Sequence, residues 1–240
     1  MINKRYNMHT TENDSIKKSG LKSWIISAML LLLSIYASSQ SGGIKWSSND
    51  NSYYRFANDE LVQFSLPDNK SKVIISKQQL TPQGNTTPLK ISFYTFSTDK
   101  QKALLFTNTT KVWRLMTKGD YWVLDMKTGS LVQLGKSMPA SSLMFAKFSP
   151  DGKSVAYVCG NNIYVEDLVT SQIKALTTDG SVALINGTFD WAYEEEFYCR
   201  DGFRWSPDSK SIAYWQVDAS KIKKFYMLFQ RWRNQVMELV

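Results

Sequence analysis

Short runs of β-branched and aromatic residues, separated by turn sequences, make up most of the chain after Gln40. Some of these runs recur: residues 148–157 (FSPDGKSVAY) reappear as residues 205–214 (WSPDSKSIAY), and residues 96–106 are a degenerate copy. In each copy a Ser-x-Asp turn precedes a run that favours pleated backbone. The pattern therefore predicts repeated turn–strand units.

A second element also repeats, because residues 121–129 (YWVLDMKTG) match residues 163–171 (IYVEDLVTS). Turn–strand units that recur at roughly 50 residues are typical of β-propeller blades. A β-sandwich, the main alternative, does not repeat sequence from one strand pair to the next. We therefore predict an all-β fold, a partial and open β-propeller of about three to four blades, over residues 41–227.

Two insertions interrupt the repeat. The first adds ten residues around 107–120, and the second adds fifteen residues around 185–203. Insertions in repeat proteins lie in loops on one face, which is often the binding face. The first insertion contains Trp113 and Arg114, and the second contains residues 190–197 (DWAYEEEF). These two segments are the candidate functional loops.

Glu194, Glu195 and Glu196 form the densest charge in the body of the chain. One interpretation is a solvated acidic loop. The other is a cation site, in which Trp191 and Tyr193 partly desolvate the carboxylates and a primary ammonium donates hydrogen bonds to two of them. In a strand, neighbouring side chains point to opposite faces, so convergence requires a helical turn or irregular backbone.

Arg114 has three interpretations that the sequence leaves open. It is a surface arginine stacked on Trp113, a donor fork for a carbonyl or carboxylate, or a counter-charge that steadies the glutamates. The candidate binding residues are therefore Glu195, Glu196 and Arg114. The candidate supporting residues are Trp113, Asp190, Trp191, Tyr193 and Glu194.

The formal net charge of +8 is concentrated at the two ends of the chain. Residues 1–40 carry five basic and two acidic residues, and residues 221–240 carry five basic and one acidic residue, which leaves +1 for the residues between them. A nearly neutral body has no electrostatic footprint for a polyphosphate, so we expect no nucleic-acid partner.

Residues 24–36 (WIISAMLLLLSIY) form an uncharged apolar run that follows the basic N-terminus. This length is typical of a signal peptide and short for the roughly 20 residues of a membrane-spanning helix. We expect residues 1–40 to be a signal peptide cleaved near Gln40, or an uncleaved N-terminal anchor. In both cases the body is exported, to the periplasm, the extracellular space or the outer side of a membrane. Cys159 and Cys199 are then either a disulfide or two free thiols.

A single histidine, His9, is present among the 240 residues. The body therefore lacks the histidine of a Ser-His-Asp or Cys-His catalytic site, and it lacks histidine zinc ligands. We expect no catalytic residue within this chain, no metal site and no cofactor. With 43% hydrophobic and 21% charged residues, the chain is typical of a folded protein and not of a disordered one.

The motif at 190–197 (DWAYEEEF), with residues 201–208 (DGFRWSPD) and 212–216 (IAYWQ), resembles the dipeptidyl peptidase IV family of serine exopeptidases. The family commonly has Val where Ala192 stands. Residues 112–114 (VWR) also resemble its substrate-arginine segment. The resemblance covers roughly residues 46–227.

This resemblance implies an N-terminal β-propeller paired with a C-terminal α/β-hydrolase domain, which carries the Ser-Asp-His triad. It implies release of N-terminal dipeptides, usually after Pro or Ala. Glu195 and Glu196 would bind the α-ammonium group of a peptide N-terminus, and Arg114 would contact a substrate carbonyl. The chain shows no G-x-S-x-G motif, so we expect it to be inactive alone. The alternative function is a non-enzymatic exported propeller that binds peptides or protein partners.

Residues 228–240 (LFQRWRNQVMELV) depart from the family, and their apolar spacing predicts a short, basic amphipathic helix. One hypothesis makes this tail an accident of reading frame in a truncated gene. The other makes it a membrane-binding or partner-binding helix.

Overall fold

The computed structural model describes residues 43–48, 50–223, 225–228 and 236–239. The chain divides into two compact units, Met1–Gly43 and Ile44–Val240. The signal peptide or anchor expected at residues 1–40 lies outside the described residues. Within the described ranges, no helix has the length and apolar character needed to cross a membrane.

Over the described residues, antiparallel strands form one four-stranded sheet, one eight-stranded sheet and three two-stranded sheets. The sequence repeat divides the eight-stranded sheet into two blades, which gives three four-stranded blades and part of a fourth. Blade 1 consists of β1 (Lys45–Trp46), β2 (Ser52–Ala57), β3 (Glu60–Ser65) and β4 (Lys70–Ile75). Blade 2 consists of β5 (Ile91–Phe96), β6 (Lys102–Val112), β7 (Leu115–Asp125) and β8 (Leu131–Gln133). Blade 3 consists of β9 (Leu143–Phe148), β10 (Ser154–Cys159), β11 (Asn162–Asp167) and β12 (Ile173–Ala175). The partial blade has β13 (Leu184–Asn186) paired with β16 (Gln216–Asp218), and β14 (Phe203–Trp205) paired with β15 (Ile212–Tyr214).

The first sequence repeat is a repeat of structure. Its serine hydroxyl donates to the aspartate two residues later, at 2.6 Å in each of the pairs Ser97–Asp99, Ser149–Asp151 and Ser206–Asp208. The residue after each aspartate has a left-handed φ: 57° at Lys100, 69° at Gly152 and 63° at Ser209. These shared turns place each repeat in the same position of its blade.

The second repeat also forms a recurring turn, after β7 and after β11. Asp125 Oδ1 accepts from the backbone N–H of Lys127 and Thr128, and Asp167 Oδ1 accepts from the backbone N–H of Val169 and Thr170. Both elements therefore confirm the repeat that the sequence predicts.

The blades are buried on both faces. In β6, the neighbouring residues Leu104 and Leu105 belong to two different apolar clusters. In β10, the neighbouring residues Val155 and Ala156 also belong to two different clusters. Successive side chains of a strand point to opposite faces, so each middle blade packs against a neighbour on either side. This face-to-face stacking of blades confirms the open β-propeller.

The C-terminal tail is not the helix that its apolar spacing predicts. Phe225–Leu228 (β17) pairs antiparallel with Val236–Leu239 (β18), so the described part of residues 228–240 is a strand. Short apolar runs do not separate helix from strand by spacing alone, and the cross-strand ladder decides the structure here. Residues 229–235 lie outside the described residues.

Cys159 and Cys199 are both free thiols. Cys159 is buried in the apolar cluster between blades 2 and 3, where it behaves as a small apolar side chain. Of the two alternatives drawn from the sequence, the structure therefore has the free thiols.

Candidate functional site

The first insertion is a long β-hairpin. It extends β6 and β7 beyond the length of the other strands, and Val112 pairs with Leu115 at its end. Trp113 and Arg114 form the two-residue turn, with a left-handed φ of 52° at Trp113. The hairpin therefore carries Arg114 away from the body of blade 2 on paired backbone, whose register shifts between Thr107 and Val112.

The second insertion contains the single described helix, α1 (Trp191–Phe197). Asp190 caps its N-terminus, because its carboxylate accepts from the backbone N–H of Tyr193 at 3.0 Å. Tyr198 ends the helix in the left-handed conformation, with φ 56°. The backbone at the three glutamates is thus helical, as convergence of neighbouring side chains requires.

The three glutamates have different environments. Successive residues of a helix point about 100° apart, so three in a row spread over more than half of the helix circumference. Glu194 is buried at 4% exposure, the Glu195 side chain is 10% exposed, and Glu196 is exposed. Glu195 and Glu196 therefore provide one enclosed and one solvated carboxylate side by side.

Arg114 and Glu195 form an ion pair between the two insertions. Arg114 Nε lies 2.7 Å from Glu195 Oε2, although the Arg114 side chain is 80% exposed. The counter-charge interpretation of Arg114 is the one that this contact supports. No ion pair of Glu196 is found among the described residues, so its carboxylate faces solvent beside the pair.

Glu194 points away from this pair towards Arg200, whose Nε lies 3.7 Å from Glu194 Oε1. Neither of these two buried atoms has a hydrogen-bond partner within the described part of the chain. Burial raises the pKa of Glu194, the positive charge of Arg200 acts in the opposite direction, and the neighbouring Glu195 raises it further. Glu194 is therefore a structural residue of the helix and not part of the exposed acidic surface.

The aromatic residues around the glutamates are themselves partly exposed. Trp191 is 45% exposed and Tyr193 is 42% exposed, while Phe197 and Tyr198 are 67% and 77% exposed. Trp113, at the hairpin tip, is 53% exposed. Each ring therefore presents part of its surface to solvent, whereas the side chains of Glu194 and Glu195 are largely desolvated.

A second charge cluster anchors the segment after α1. Lys147, on β9, forms a close ion pair with Asp201, and its Nζ lies 3.7 Å from the centre of the Phe203 ring. Arg204 Nη1 lies 3.0 Å from the same carboxylate. Burial lowers the pKa of Lys147, and the contact with Asp201 acts in the opposite direction. Sequence reasoning missed Lys147, Asp201 and Arg200, because no local spacing connects a strand lysine to a distant loop.

Metal ligands are not gathered at this site. Over the ranges that the structure describes, no group of three or more histidine, cysteine, aspartate or glutamate residues could hold a metal ion. The carboxylates of α1 are instead faced by the arginines at positions 114 and 200. The arrangement suits recognition of a hydrogen-bond donor.

Residues 97–237 match the family model described as the dipeptidyl peptidase IV N-terminal region. The chain belongs to this family. The matched range includes Arg114, α1 and the whole of blade 3. The resemblance drawn from the glutamate motif is thereby confirmed at the level of the family.

Relatives of the chain are named as dipeptidyl aminopeptidases. Dipeptidyl aminopeptidase B of Saccharomyces cerevisiae is 34% identical over 185 residues, which are 75% of this chain and 22% of the relative. The protein named probable dipeptidyl-aminopeptidase B in Aspergillus oryzae is 32% identical over 155 residues, which are 64% of this chain and 17% of the relative. The chain thus spans about a fifth of the length of the curated relatives it matches.

A solved structure supports the fold. The crystal structure of dipeptidyl peptidase 4 from Porphyromonas gingivalis matches 85% of this chain and 29% of its own, with a TM-score of 0.71 and 24% sequence identity. The blades of the described chain are therefore arranged as in the corresponding part of a family member.

Proposed function

We propose that this chain is the substrate-recognition propeller of an exported dipeptidyl peptidase IV-like serine exopeptidase. In this proposal, Glu195 and Glu196 bind the free α-ammonium group of a peptide, and Arg114 contacts a backbone carbonyl of the same peptide. The observation that carries the proposal is the ion pair between Arg114 and Glu195, because it joins two insertions that the repeat itself does not require.

The chemistry of the pair fits a primary ammonium. An ammonium group has three donors, and ionised carboxylates accept charge-assisted hydrogen bonds, which are the strong class. Arg114 lies close to one oxygen of Glu195, and the exposed carboxylate of Glu196 follows directly on the same helix. The guanidinium keeps donors free, because its fork has five N–H groups. A peptide N-terminus supplies both the cation and the carbonyl that these groups require.

The fixed position of the ammonium would determine where a peptide is cut. If the nucleophile lies a set distance from Glu195 and Glu196, only the bond after the second residue reaches it. We assign the Ser-Asp-His triad of that reaction to an α/β-hydrolase domain outside these 240 residues, whose one histidine is His9. Release of N-terminal dipeptides, usually after Pro or Ala, is therefore proposed for the enzyme that contains both domains.

Export is proposed on the residues before the propeller. Residues 1–40 combine a basic start, an apolar run and small residues near Gln40. Sequencing the N-terminus of the protein recovered from the periplasm or the medium tests this. A mature end near Gln40 supports a cleaved signal, an intact Met1 in the membrane fraction supports an anchor, and recovery from the cytosol alone contradicts export.

Binding of matched peptides tests the ammonium site. We expect a free-amine Xaa-Pro peptide to bind the chain and its N-acetylated form to bind at least about tenfold more weakly, a difference of about 1.4 kcal/mol. Glu195→Gln should remove this discrimination, while Glu60→Gln, on blade 1, should keep it. Equal affinity for the two peptides would contradict the proposal.

A chromogenic Xaa-Pro substrate separates recognition from catalysis. We expect no turnover by this chain, because the triad is assigned to another domain. Hydrolysis that is blocked by a serine-directed inhibitor would show that the catalytic residues lie within these 240 residues.

A non-enzymatic exported propeller is the second candidate function. The exposed rings of Phe197, Tyr198 and Trp215 favour it, because a large apolar surface is typical of contact with another protein. Binding of N-acetylated and free-amine peptides with equal affinity, together with loss of both in Tyr198→Ala, would favour this candidate over the first.

A further inference from the structure

A cleft of about 480 Å³ opens between blades 2 and 3. We call it the interblade cleft. Small-molecule and side-chain sites typically enclose about 300–1,000 Å³, with mostly apolar walls and a few polar groups. One wall includes Phe93, Phe106 and Met116 from blade 2, and the other includes Phe145 and Lys147 from β9. The size and lining of the cleft are thus those of a binding site.

The cleft exists because β7 takes part in two blades. It pairs with β8 through residues 122–124 and with β9 through Lys118 and Gly119 only. Beyond this short contact the strand ladder between β7 and β9 ends, and the two blades separate there.

Gly119 permits the close contact at which the separation starts. A Cβ atom at this position would lie 2.6 Å from the backbone oxygen of Thr107 and would also meet the Phe106 ring. Only glycine lets β6 and β7 approach so closely, at the position where β7 also pairs with β9.

The wall formed by β9 carries backbone strain. Phe145 has a left-handed φ of 55°, which is uncommon for an aromatic residue, and its carbonyl oxygen accepts from Lys147 Nζ at 3.2 Å. Strained residues of this kind persist where the surrounding structure fixes them, and they cluster at functional sites. Lys147, in turn, is held by Asp201, so a polar edge borders the apolar wall.

Two segments of chain connect residues of the cleft to residues of the candidate ammonium site. Arg114 immediately precedes β7, and Met116 of β7 lines the cleft, about 7 Å along an extended strand. Asp201 also lines the cleft and follows α1, which carries Glu195. An extended peptide advances about 3.3 Å per residue, so three residues span this separation.

We propose that the interblade cleft binds a large apolar side chain, preferably aromatic, within the first three residues of the peptide whose ammonium group Glu195 and Glu196 hold. The apolar walls take the ring, and the Lys147–Asp201 edge faces the polar peptide backbone. The inference rests on the proposed function and adds a substrate class to it: peptides with an aromatic residue near the free N-terminus.

The test compares free-amine peptides that carry Phe at position one, two or three with an all-alanine parent. We expect one of the Phe peptides to bind the chain about tenfold more tightly than the parent. Ala146→Phe places a ring inside the cleft, so it should remove this preference and leave the affinity for the parent unchanged. Ala175→Phe, the same substitution on an exposed residue of β12, should keep the preference.

A second variant covers the case in which Ala146→Phe does not fold. Met116 is 55% exposed, so Met116→Ala is compatible with the fold and should weaken binding of the preferred Phe peptide only. The inference is overturned if Met116→Ala and folded Ala146→Phe both keep the full preference for the Phe peptide over the all-alanine parent. It is also overturned by the absence of any preference for Phe in the unmodified chain while the parent still binds through its free amine. If no free-amine peptide binds at all, the proposed function fails and this inference fails with it.

Discussion

Arg114 Nε lies 2.7 Å from Glu195 Oε2, and this ion pair joins the tip of the β6–β7 hairpin to α1. Each residue belongs to an insertion of the propeller repeat. The contact therefore fixes two otherwise separate loops relative to each other, at the position where the glutamates reach the surface.

Removing the arginine should affect binding more than stability. The Arg114 side chain is 80% exposed, so solvent screens its contact with Glu195 even though the Glu195 side chain is only 10% exposed. Because ion pairs at the surface contribute about 0–1 kcal/mol, Arg114→Met should lower the melting temperature only slightly. We expect its affinity for free-amine peptides to fall about tenfold, as measured by calorimetry. Lys70→Met, which removes an ion pair whose two side chains are both exposed, is the control and should change neither quantity. Normal binding by Arg114→Met would remove Arg114 from the site.

Acid should unfold the propeller through its turn aspartates. Hydrogen bonds from serine hydroxyl or backbone N–H groups lower the pKa of seven aspartates below the usual 3.8: Asp50, Asp99, Asp125, Asp151, Asp167, Asp208 and Asp218. A lowered pKa in the folded state stabilises the fold at pH values above 3.8, and this contribution is lost as the pH falls through the lowered value. The melting temperature should therefore fall steeply below about pH 4.

Asp167→Asn tests whether the turns cause this pH dependence. Its carboxylate accepts from two backbone N–H groups after β11, and the amide that replaces it does not titrate. We expect a lower melting temperature at pH 7 and a shallower fall in acid. An acid profile identical to that of the unmodified chain would place the titrating groups elsewhere.

Glu194 should show the opposite dependence on pH. Burial raises the pKa of Glu194 in the folded state above 4.5. The ionised carboxylate therefore lowers the free energy of unfolding, and this loss appears as the pH rises from 4.5 through the folded-state pKa. Below pH 4.5 the loss is absent, because the carboxyl group is protonated in both states. Glu194→Gln removes the charge and keeps the shape. We expect a higher free energy of unfolding than in the unmodified chain at pH 7, and equal values below pH 4. A less stable variant at pH 7 would mean that the contact with Arg200 outweighs the cost of burial.

Replacing a glycine and introducing a glycine at the left-handed position of the recurring turn should have opposite effects on the free energy of unfolding. Gly152 and Lys100 occupy equivalent left-handed positions, which an L-residue adopts at a cost of about 1–2 kcal/mol. Gly152→Ala should therefore lower the free energy of unfolding by about 1 kcal/mol, and Lys100→Gly should raise it by a few tenths of a kcal/mol. Urea unfolding of both variants measures these changes. A stabilised Gly152→Ala would contradict the equivalence of the two turns.

The parts of the site that the sequence predicts are those with a local signal. The repeat reveals its insertions by comparison with itself. Convergence of adjacent glutamates requires a helical turn or irregular backbone, and α1 provides the helical turn. The Lys147–Asp201 contact has no such signal, because the two residues meet only after blade 3 and the partial blade have packed together. The helix predicted for the tail is wrong for a related reason. Pairing with a partner strand, and not the spacing of the tail's own apolar residues, determines its structure.

The pairing of β7 with both β8 and β9 has a consequence for how blades 2 and 3 unfold. Residues 122–124 of β7 pair with β8 and residues 118–119 pair with β9, so one strand contributes hydrogen bonds to both blades. We expect blades 2 and 3 to unfold together as one cooperative unit. Arg114 immediately precedes this strand, so the hairpin that carries it is attached to both blades, despite the position of Arg114 at the hairpin tip.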